Sequence, residues 1–405
     1  MKSMKKLKEI KLSHFFKLAG GSDIWILLSV LLLALFGLLM IGSASMGLSI
    51  GNNVSLIITV AKQFIYVFAG YMLMCFASHH FTLKSIKSDN FLLVMIAAEI
   101  ALVACRAFTP SGGAYAWIRM RFPGVEMTIQ PSEFTKIVGY LIVAAYLGDI
   151  RKKHRTFTQL VMMPVASILI YIATIILLQH DFGSAAVLFI IVCVCYLIPR
   201  NRTLKKSQKV LSVLFWIAVL GVIFLVSSSG MTFIESLPFL KTYQKNRFLS
   251  AVNPFIDQYG DGYQLVNGLV SFATGGWFGV GFGKSIRKYT NFPAANTDFI
   301  LAVLVEEMGF CGFLVVMGLY TFLIVRLFLY AAKIRSEKAK IILVGTAMYF
   351  MVHIFLNVGG VTGLIPLTGV PLPLFSAGGS SAMSMMLSVG ISQAVISRFH
   401  KGEIV

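Results

Sequence analysis

The sequence predicts an all-α, polytopic integral membrane protein with about ten transmembrane helices. Hydrophobic residues make up 57% of the 405-residue chain and charged residues only 13%, whereas about a quarter of the residues in a soluble domain are charged. Apolar runs of roughly 20 residues, long enough to cross a ~30 Å hydrocarbon core, recur along nearly the whole chain. The runs are uniformly apolar, which favours helices over a β-barrel, whose strands alternate in polarity.

Ten apolar runs define the expected helices in chain order. They lie near residues 24–44, 54–77, 91–108, 132–148, 159–178, 183–198, 210–228, 298–325, 341–361 and 375–396. Little sequence remains for a soluble domain, so we expect a single membrane domain over residues 1–405 that begins with a basic cytoplasmic segment at 1–21. The exception is the interval 229–296, which is too long for a simple connector. It is predicted to form a large extracytoplasmic loop between the seventh and eighth helices.

The distribution of basic residues predicts the orientation, because Lys and Arg accumulate in cytoplasmic loops. With the N-terminus in the cytoplasm, 24 Lys and Arg residues fall on the cytoplasmic side, 9 on the outer side and 2 within the helices. An even number of helices returns the C-terminus to the cytoplasm and leaves the loop 229–296 outside. The net charge of +19 therefore reflects topology and anionic lipid, and we expect no nucleic-acid partner.

The most informative stretch of the large loop is residues 253–264, Asn-Pro-Phe-Ile-Asp-Gln-Tyr-Gly-Asp-Gly-Tyr-Gln. It combines carboxylates with turn-forming residues in the longest polar interval of an otherwise apolar chain. Long loops within compact proteins are usually functional. If the chain carries out chemistry, we expect it in this stretch.

Charged residues inside the predicted helices are a second group of candidates, because lipid offers them no partner. Lys62 lies about eight residues into the second run, roughly 12 Å deep at the helical rise, and the polar Gln63 follows it. The alternative is that Lys62 snorkels to the membrane surface. Glu133 and Lys136 are three residues apart and share one helix face. They form either a local ion pair or the polar floor of an outward-facing cavity.

Asp298 and Glu306 are eight residues apart on the eighth predicted helix and would share one stripe, with Glu307 beside it. A stripe of acids does not face lipid, so we expect it to face Lys62, Lys136 or a water-filled groove. The corresponding hypothesis is a single network of buried charges that joins both lysines to these acids and to the acid of the fourth helix.

Glycine and proline are dense between residues 357 and 381, and such density breaks helices. Non-helical backbone at membrane depth survives only where protein or a water-filled cavity satisfies it. We therefore expect this segment to line the same outward cavity as the large loop, the alternative being a re-entrant turn without a ligand. Asp181, in the tight turn at 179–181, is expected to cap the helix that follows.

The chain resembles the SEDS family of shape, elongation, division and sporulation proteins, which includes FtsW, RodA and SpoVE. The resemblance covers nearly the whole chain and rests on seven motifs in family order. These are Ser43-Ala44-Ser45, Lys62-Gln63, Gln130-Pro131-Ser132-Glu133 with Lys136, Gln179 to Ala185, Asp257 to Gln264, Thr297 to Ile300 with Glu306 to Gly309, and Pro366 to Ser381. The run from Asn357 to Pro366 is more similar to FtsW than to RodA.

The resemblance implies a peptidoglycan glycosyltransferase that polymerises lipid II, an undecaprenyl-pyrophosphate disaccharide pentapeptide, at the outer face of the bacterial cytoplasmic membrane, in cell division or elongation. It implies a class B penicillin-binding protein transpeptidase as partner, together with other membrane proteins of the division or elongation complexes. Asp257 matches the catalytic acid of the family. The substrate-binding residues that we expect from the resemblance and the charge pattern are Lys62, Gln63, Arg119, Glu133, Lys136, Asp298, Glu306 and Ser380.

Four positions depart from the family pattern while the catalytic carboxylate is retained. Ala116 stands where the family usually has Arg before Trp-Ile, and Gln258 replaces the Pro that follows the catalytic Asp. Asn296 replaces His before Thr-Asp, and Ala377 replaces Tyr before Gly-Gly. These departures concern the contacts with substrate.

The implied reaction joins a sugar hydroxyl to an anomeric carbon while a lipid pyrophosphate leaves, so it needs a base near the hydroxyl and positive charge near the leaving group. Asp257 is the expected base. The positive charge could come from Arg119, Arg121, Lys62 or a divalent cation such as Mg²⁺ or Mn²⁺, although the sequence contains no recognisable metal-ligand spacing and no metal-binding residue is predicted.

Two other functions remain open. Many helices, buried charges and broken helices near the end of the chain also fit a lipid II flippase or transporter. Such carriers place their site near the midplane of the membrane, whereas Asp257 is predicted to lie in an outer loop. The third possibility is a non-catalytic scaffold for the penicillin-binding protein, which the four departures would fit.

Overall fold

The computed structural model describes residues 11–49, 53–87, 89–110, 113–122, 125–150, 156–225, 227–236, 245, 249–260, 262–290 and 292–404. Its α-helices are α1 (Ile24–Leu48), α2 (Asn53–His80), α3 (Asp89–Ala104), α4 (Pro131–Leu147), α5 (Phe157–Thr174), α6 (Phe182–Tyr196), α7 (Lys205–Leu225), α8 (Ser228–Ser236), α9 (Tyr263–Gly275), α10 (Ile300–Lys333), α11 (Glu337–Val361) and α12 (Gly379–His400). A hairpin of β1 (Ile118–Phe122) and β2 (Val125–Ile129) lies between α3 and α4. Short 3-10 helices cover Leu12–Phe15, Ser85–Lys87, Cys105–Ala107, Pro254–Asp257 and Arg287–Tyr289, and a π-helical turn, Ile175–Gln179, continues α5.

The all-α, polytopic fold class is confirmed, since a helix occupies each of the ten predicted apolar runs. Among the residues that the structure describes, eight helices are long and apolar enough to cross a membrane. The helices α4 and α6 are shorter, with 17 and 15 residues. The count of ten spans therefore stays a prediction.

Helix ends follow the capping chemistry of the sequence. The Asp23 carboxylate accepts hydrogen bonds from the backbone N–H groups of Trp25 and Ile26 at the start of α1. Pro131 occupies the first turn of α4, where its missing N–H leaves no hydrogen bond unmade. Asp181 accepts from the N–H of Ser184, which confirms it as the cap of α6.

Burial separates the central helices from the peripheral ones. Almost every residue of α12 is buried, and α12 packs along α2 and beside α4 and α11. All of α7 is described, and none of its residues is buried. The centre of the bundle thus excludes lipid, whereas α7 lies apart from it along most of its length.

The interval 229–296 contains more regular structure than the prediction of a loop implied. Within its described part, α9 packs on α10, with Ser271 donating to Glu306 and Gly275 lying against the backbone of Val305. The helix α10 then begins at Ile300 and breaks at Gly309, whose φ of 67° is a left-handed value that glycine adopts without strain.

The segment between α11 and α12 is non-helical, as its glycines and prolines predict. Its buried side chains include Leu372, Leu374 and Phe375. Protein groups satisfy its backbone: the N–H of Leu372 donates to Ser376 Oγ, 2.9 Å away, and the side-chain amide of Asn357 donates to the carbonyl of Val370 at 3.0 Å. This satisfies the requirement for irregular backbone at membrane depth.

Candidate active site

Asp257 ends the 3-10 helix Pro254–Asp257 and is exposed. The N–H of Gly260 donates to Asp257 Oδ1 at 3.0 Å, and the N–H of Gly262 donates to the Asp257 carbonyl at 3.0 Å. A Cβ on Gly260 would lie 2.2 Å from Asp257 Oδ2, and a Cβ on Gly262 would lie 2.0 Å from the Pro254 carbonyl oxygen. A side chain at position 262 would collide with the backbone of the turn, and one at position 260 would displace the Asp257 carboxylate from the position it occupies here.

The helix α9 ties the Asp257 turn to the segment before α10. The hydroxyl of Tyr263 donates to the carbonyl of Thr290 at 2.5 Å, and Gln264 Nε2 donates to the carbonyl of Pro293 at 3.3 Å. Because α9 itself packs on α10, these two contacts anchor the Asp257 turn to the helical bundle.

Two cations converge on Glu126 of the hairpin. Lys62 Nζ donates to the Glu126 carbonyl at 2.6 Å, and the Arg119 guanidinium lies 3.5 Å from the Glu126 carboxylate. Lys62 is half-buried, and its amine bonds to a backbone carbonyl rather than to a carboxylate. Both cations lie beside β2, which belongs to the interval between the third and fourth predicted helices, on the predicted outer side of the membrane.

Ser380 lies beside the same strand. Ser380 Oγ accepts from the N–H of Gln130 at 2.8 Å and lies 3.3 Å from the carbonyl of Thr128. Gln63 Nε2 is 3.5 Å from the carbonyl of Ser376 in the segment before α12. The structure therefore brings Lys62, Arg119 and Ser380 together around the hairpin, while Gln63 contacts the segment before α12.

Asp298 lies before α10 and not on it, so it does not share a helical stripe with Glu306. The Asp298 carbonyl accepts from Asn357 Nδ2 at 2.8 Å. A Cβ on Gly369 would lie 3.8 Å from Asp298 Oδ2, which places this carboxylate beside the irregular segment.

Two of the four departures from the family pattern contact each other. The N–H of Ala377 donates to the Asn296 carbonyl at 2.8 Å, and Asn296 Nδ2 lies 3.2 Å from Ser45 Oγ. Ala116 is buried, and Gln258 is exposed beside Asp257. The contact shows that positions 296 and 377 form one local surface.

Glu133 and Lys136 form a buried ion pair inside the bundle. The distance from Lys136 Nζ to Glu133 Oε1 is 2.6 Å, and the two side chains are 1% and 3% exposed. The Tyr349 hydroxyl donates to Glu133 Oε2 at 2.6 Å, and His353 Nε2 lies 3.2 Å from Lys136 Nζ. The pair is thus enclosed by α11, and the prediction of a local ion pair describes it better than an open polar floor.

Glu306 and Glu307 fasten the segment 283–288 onto α10. Glu306 accepts hydrogen bonds from the hydroxyls of Ser271 and Ser285 and from the N–H groups of Ile286 and Arg287.

The neighbouring Glu307 pairs with Lys288, whose Nζ lies 2.9 Å from Glu307 Oε1. Ser43 of α1 donates to the same carboxylate at 2.7 Å. Both side chains of the ion pair are fully buried, so this cluster joins α1, α10 and the segment before α10.

The hypothesis of one network of buried charges is wrong for the contacts that the structure describes. Glu306 faces the segment 283–288 and α9, and neither Lys62 nor Lys136 is among its partners. Lys62 bonds to the hairpin instead, and Lys136 bonds within the α4–α11 pair. Three separate clusters replace the single network.

Sequence reasoning missed several members of these clusters. His353 lies inside a predicted helix, so the rule that flags ionisable residues in membrane helices could have identified it. Lys288 and Glu126 lie outside the predicted helices, where that rule does not apply. Within the described residues, no three His, Cys, Asp or Glu side chains lie close enough together to hold a metal ion.

A family model for cell cycle proteins that covers FtsW, RodA and SpoVE matches residues 23–401. The chain belongs to this family. Probable peptidoglycan glycosyltransferase FtsW of Bacillus subtilis is 31% identical over 391 residues, covering 95% of this chain and 93% of that protein. The corresponding FtsW of Coxiella burnetii is 31% identical over 378 residues, covering 91% of this chain and 94% of that protein.

Solved structures of the FtsW/RodA/SpoVE family share the fold. A chain from a peptidoglycan synthase complex, studied for its coordination of polymerization and crosslinking, matches with a TM-score of 0.67 and 23% identity, covering 94% of this chain and 99% of that chain. The rod shape determining protein RodA of Thermus thermophilus matches with a TM-score of 0.61 and 21% identity, covering 93% and 97%. At these identities the likeness establishes the fold.

Proposed function

We propose that this chain is a peptidoglycan glycosyltransferase that polymerises lipid II at the outer face of the cytoplasmic membrane, with Asp257 as general base. Membership of the family and the curated FtsW relatives support the enzyme class. The observation that carries the role of Asp257 is its position: an exposed carboxylate that accepts a hydrogen bond from Gly260 N–H in a tight turn within the longest polar interval of the chain.

In the proposed reaction, the Asp257 carboxylate takes the proton of the attacking sugar hydroxyl. The hydroxyl oxygen then forms a bond to the anomeric carbon of a second lipid-linked sugar, and the bond from that carbon to the pyrophosphate breaks. The electron pair of the broken bond leaves with undecaprenyl pyrophosphate. The hydrogen bond from Gly260 N–H holds Oδ1 in place during the transfer, so the base needs little reorganisation.

The leaving pyrophosphate needs positive charge, and the cations around β2 can provide it. Lys62 and Arg119 both contact Glu126, and both carry N–H donors that are suited to phosphate oxygens. Ser380, beside β2, and Gln63, beside the segment before α12, orient the substrate in this proposal. Glu133, Lys136 and Glu306 are enclosed by protein, so we assign them a supporting role and not direct contact with substrate.

The proposal also includes an orientation and a partner. The positive-inside pattern supports cytoplasmic termini and an extracytoplasmic Asp257. The fold match to a chain of a peptidoglycan synthase complex supports a class B penicillin-binding protein as the partner that crosslinks the glycan product.

The decisive experiment compares Asp257→Asn with the parent protein in complex with its penicillin-binding protein. Asparagine preserves the shape of the side chain and removes the proton acceptor, so lipid II should still bind while glycan polymerisation falls by roughly 10²–10⁴-fold. Polymer length is measured on gels with labelled lipid II. Asp89→Asn is the matched control, because Asp89 is also exposed but begins α3, at the end of that helix predicted to be cytoplasmic.

Parental polymerisation by Asp257→Asn would rule out Asp257 as the base. If the parent and the variant both fail to polymerise but both move labelled lipid II across vesicles, the protein is a flippase. If neither activity occurs while the penicillin-binding protein still requires this chain for crosslinking, the protein is a scaffold.

The orientation has its own test in intact cells, with native cysteines removed. A cysteine at Asp257 should react with a membrane-impermeant thiol reagent, whereas a cysteine at Lys205 should react only after lysis. The reverse pattern would place Asp257 in the cytoplasm and contradict the proposed function.

A further inference from the structure

A cavity of about 680 Å³ lies between α4, α5, α6 and the first half of α7. Its deeper wall is apolar and includes Ile168, Phe189 and Leu214. The lining as a whole is almost entirely apolar, and its few polar side chains, which include Thr203, Lys206 and Ser207, lie where α6 ends and α7 begins. The cavity therefore suits a hydrocarbon chain, and the Lys206 amine lies at the end where a head group would be.

Hydrogen bonds hold the first turns of α7 to the end of α6, beside the cavity. Gln208 Nε2 donates to the carbonyls of Tyr196 and Pro199 at 2.9 and 2.8 Å, and the Tyr196 hydroxyl lies 2.7 Å from Ser207 Oγ. Farther along, Trp216 and other apolar side chains of α7 are exposed. A gap lined by apolar side chains is filled by hydrocarbon when the protein is in a bilayer.

The charge at the Lys206 end of the cavity identifies the head group. Lys206 lines the cavity, and the exposed basic side chains that precede it in the chain are Arg200, Arg202 and Lys205. Such clusters attract anionic lipids at the membrane surface. We propose that this cavity binds an anionic phospholipid, with one acyl chain between α5 and α7 and the phosphate at Lys206.

This ligand differs from the proposed substrate in its position. The helix α7 has 21 residues and therefore spans about 30 Å, and in the proposed topology Lys206 lies at its cytoplasmic end whereas Asp257 lies on the outer face. A lipid whose phosphate lies at Lys206 cannot present a sugar to Asp257. The inference thus adds a second lipid site and does not depend on the proposed glycosyltransferase activity.

A partner's transmembrane helix does not suit the cavity. A helix of about 10 Å diameter fills roughly 80 Å³ per ångström of length, so the cavity volume holds less than two helical turns. A transmembrane helix would also supply no anionic phosphate to the basic side chains at the Lys206 end of the cavity. A single acyl chain with an anionic phosphate satisfies both the shape and the charge.

The test is native mass spectrometry of the purified full-length chain, titrated in detergent with phosphatidylglycerol and, separately, with phosphatidylcholine. The parent should bind phosphatidylglycerol in preference to phosphatidylcholine. Lys206→Gln should weaken phosphatidylglycerol binding about fivefold, whereas Lys209→Gln, whose lysine lies outside the cavity lining, should change it less than about twofold.

A second pair of variants tests the apolar part. Val210 lines the cavity and Val213 does not, although both are exposed valines of α7. Val210→Phe should fill the gap and weaken phosphatidylglycerol binding about fivefold or more, and Val213→Phe should leave it unchanged. Size-exclusion profiles and melting temperatures establish that each variant is folded. If Val210→Phe does not fold, the lysine pair alone tests the proposal.

Three results would overturn the proposal: a parent protein that binds no phosphatidylglycerol, equal binding of phosphatidylcholine, or variants within each pair that behave alike. No turnover is measured, so a failed glycosyltransferase assay does not affect the outcome.

Discussion

The buried and the exposed carboxylates of this protein differ in how completely the fold surrounds them. Glu133, Glu306 and Glu307 are at most 3% exposed, and each accepts hydrogen bonds from a neighbouring element. Asp257 is exposed, and its turn is held by hydrogen bonds within residues 257–262. The buried acids thus join helices, whereas the exposed acid remains accessible to a substrate.

This difference affects how ionisable residues in membrane helices should be interpreted. The rule that such residues are functional identifies groups that the fold must satisfy, and it does not separate catalysis from stabilisation. Removing a buried partner should therefore mainly lower stability, whereas removing an accessible group should mainly lower activity. Three substitutions test this division, from the largest expected effect on stability to the smallest.

The largest effect is expected for Lys288→Met. Lys288 is fully buried and donates to Glu307, to Ser43 and to the Gly283 carbonyl. The substitution leaves the Glu307 carboxylate buried without its ion-pair partner, which should lower the free energy of unfolding by about 3–5 kcal/mol. Unfolding in detergent micelles, followed by circular dichroism, measures the loss.

Lys284→Met is the matched control, because Lys284 is exposed only four residues earlier. Its free energy of unfolding should stay within about 0.5 kcal/mol of the parent. Equal unfolding curves for the two variants would mean that the Lys288–Glu307 pair does not hold the fold together.

An intermediate effect is expected for Gly47→Ala, which tests how the same cluster approaches α1. A Cβ on Gly47 would lie 1.8 Å from the Lys288 carbonyl oxygen, so the backbone must move and overpacking should cost about 1–3 kcal/mol.

Gly318 on α10 provides the control, since a Cβ there would meet nothing within 4 Å. Gly318→Ala should be neutral or stabilising by up to about 1 kcal/mol because alanine favours the helix. If Gly47→Ala is as stable as Gly318→Ala, the segment 283–288 does not pack on α1 as described.

The fold class and the positions of the helices follow from the sequence because apolar runs of membrane-spanning length have few alternative structures. The tight turn at Asp257 is similarly predictable from its glycines. Pairings between distant elements are not, since hydropathy does not reveal which helix faces which. Glu306 illustrates the point: its position on a helix is evident, but its partners belong to a segment that sequence reasoning treated as loop.

Hydrophobic periodicity also fails for the β-hairpin and for α9. The hairpin is too short to give a clear alternating pattern, and the interval 109–131 therefore contains no predicted element. The helix α9 is amphipathic and has only 13 residues, too few to span a membrane. Both elements position candidate site residues, so the unpredicted part of the fold is the part nearest to the proposed chemistry.

The smallest effect on stability is expected for Lys62→Met. This substitution best separates groups that stabilise the fold from groups that serve activity. Lys62 is half-buried and donates to one backbone carbonyl, that of Glu126. Because no buried carboxylate loses its counter-charge in the described contacts, the free energy of unfolding should fall by only about 1 kcal/mol. A single network of buried charges would instead require a loss of several kcal/mol.

Polymerisation should respond to Lys62→Met more strongly than stability does, because the variant lacks a positive charge near the proposed pyrophosphate site. Lys62→Arg keeps that charge and should recover much of the activity. The measurement is the initial rate of lipid II polymerisation beside the unfolding curve of each variant. Parental rates for Lys62→Met would remove Lys62 from the site, whereas a large loss of stability would place it with the buried groups that hold the helices together.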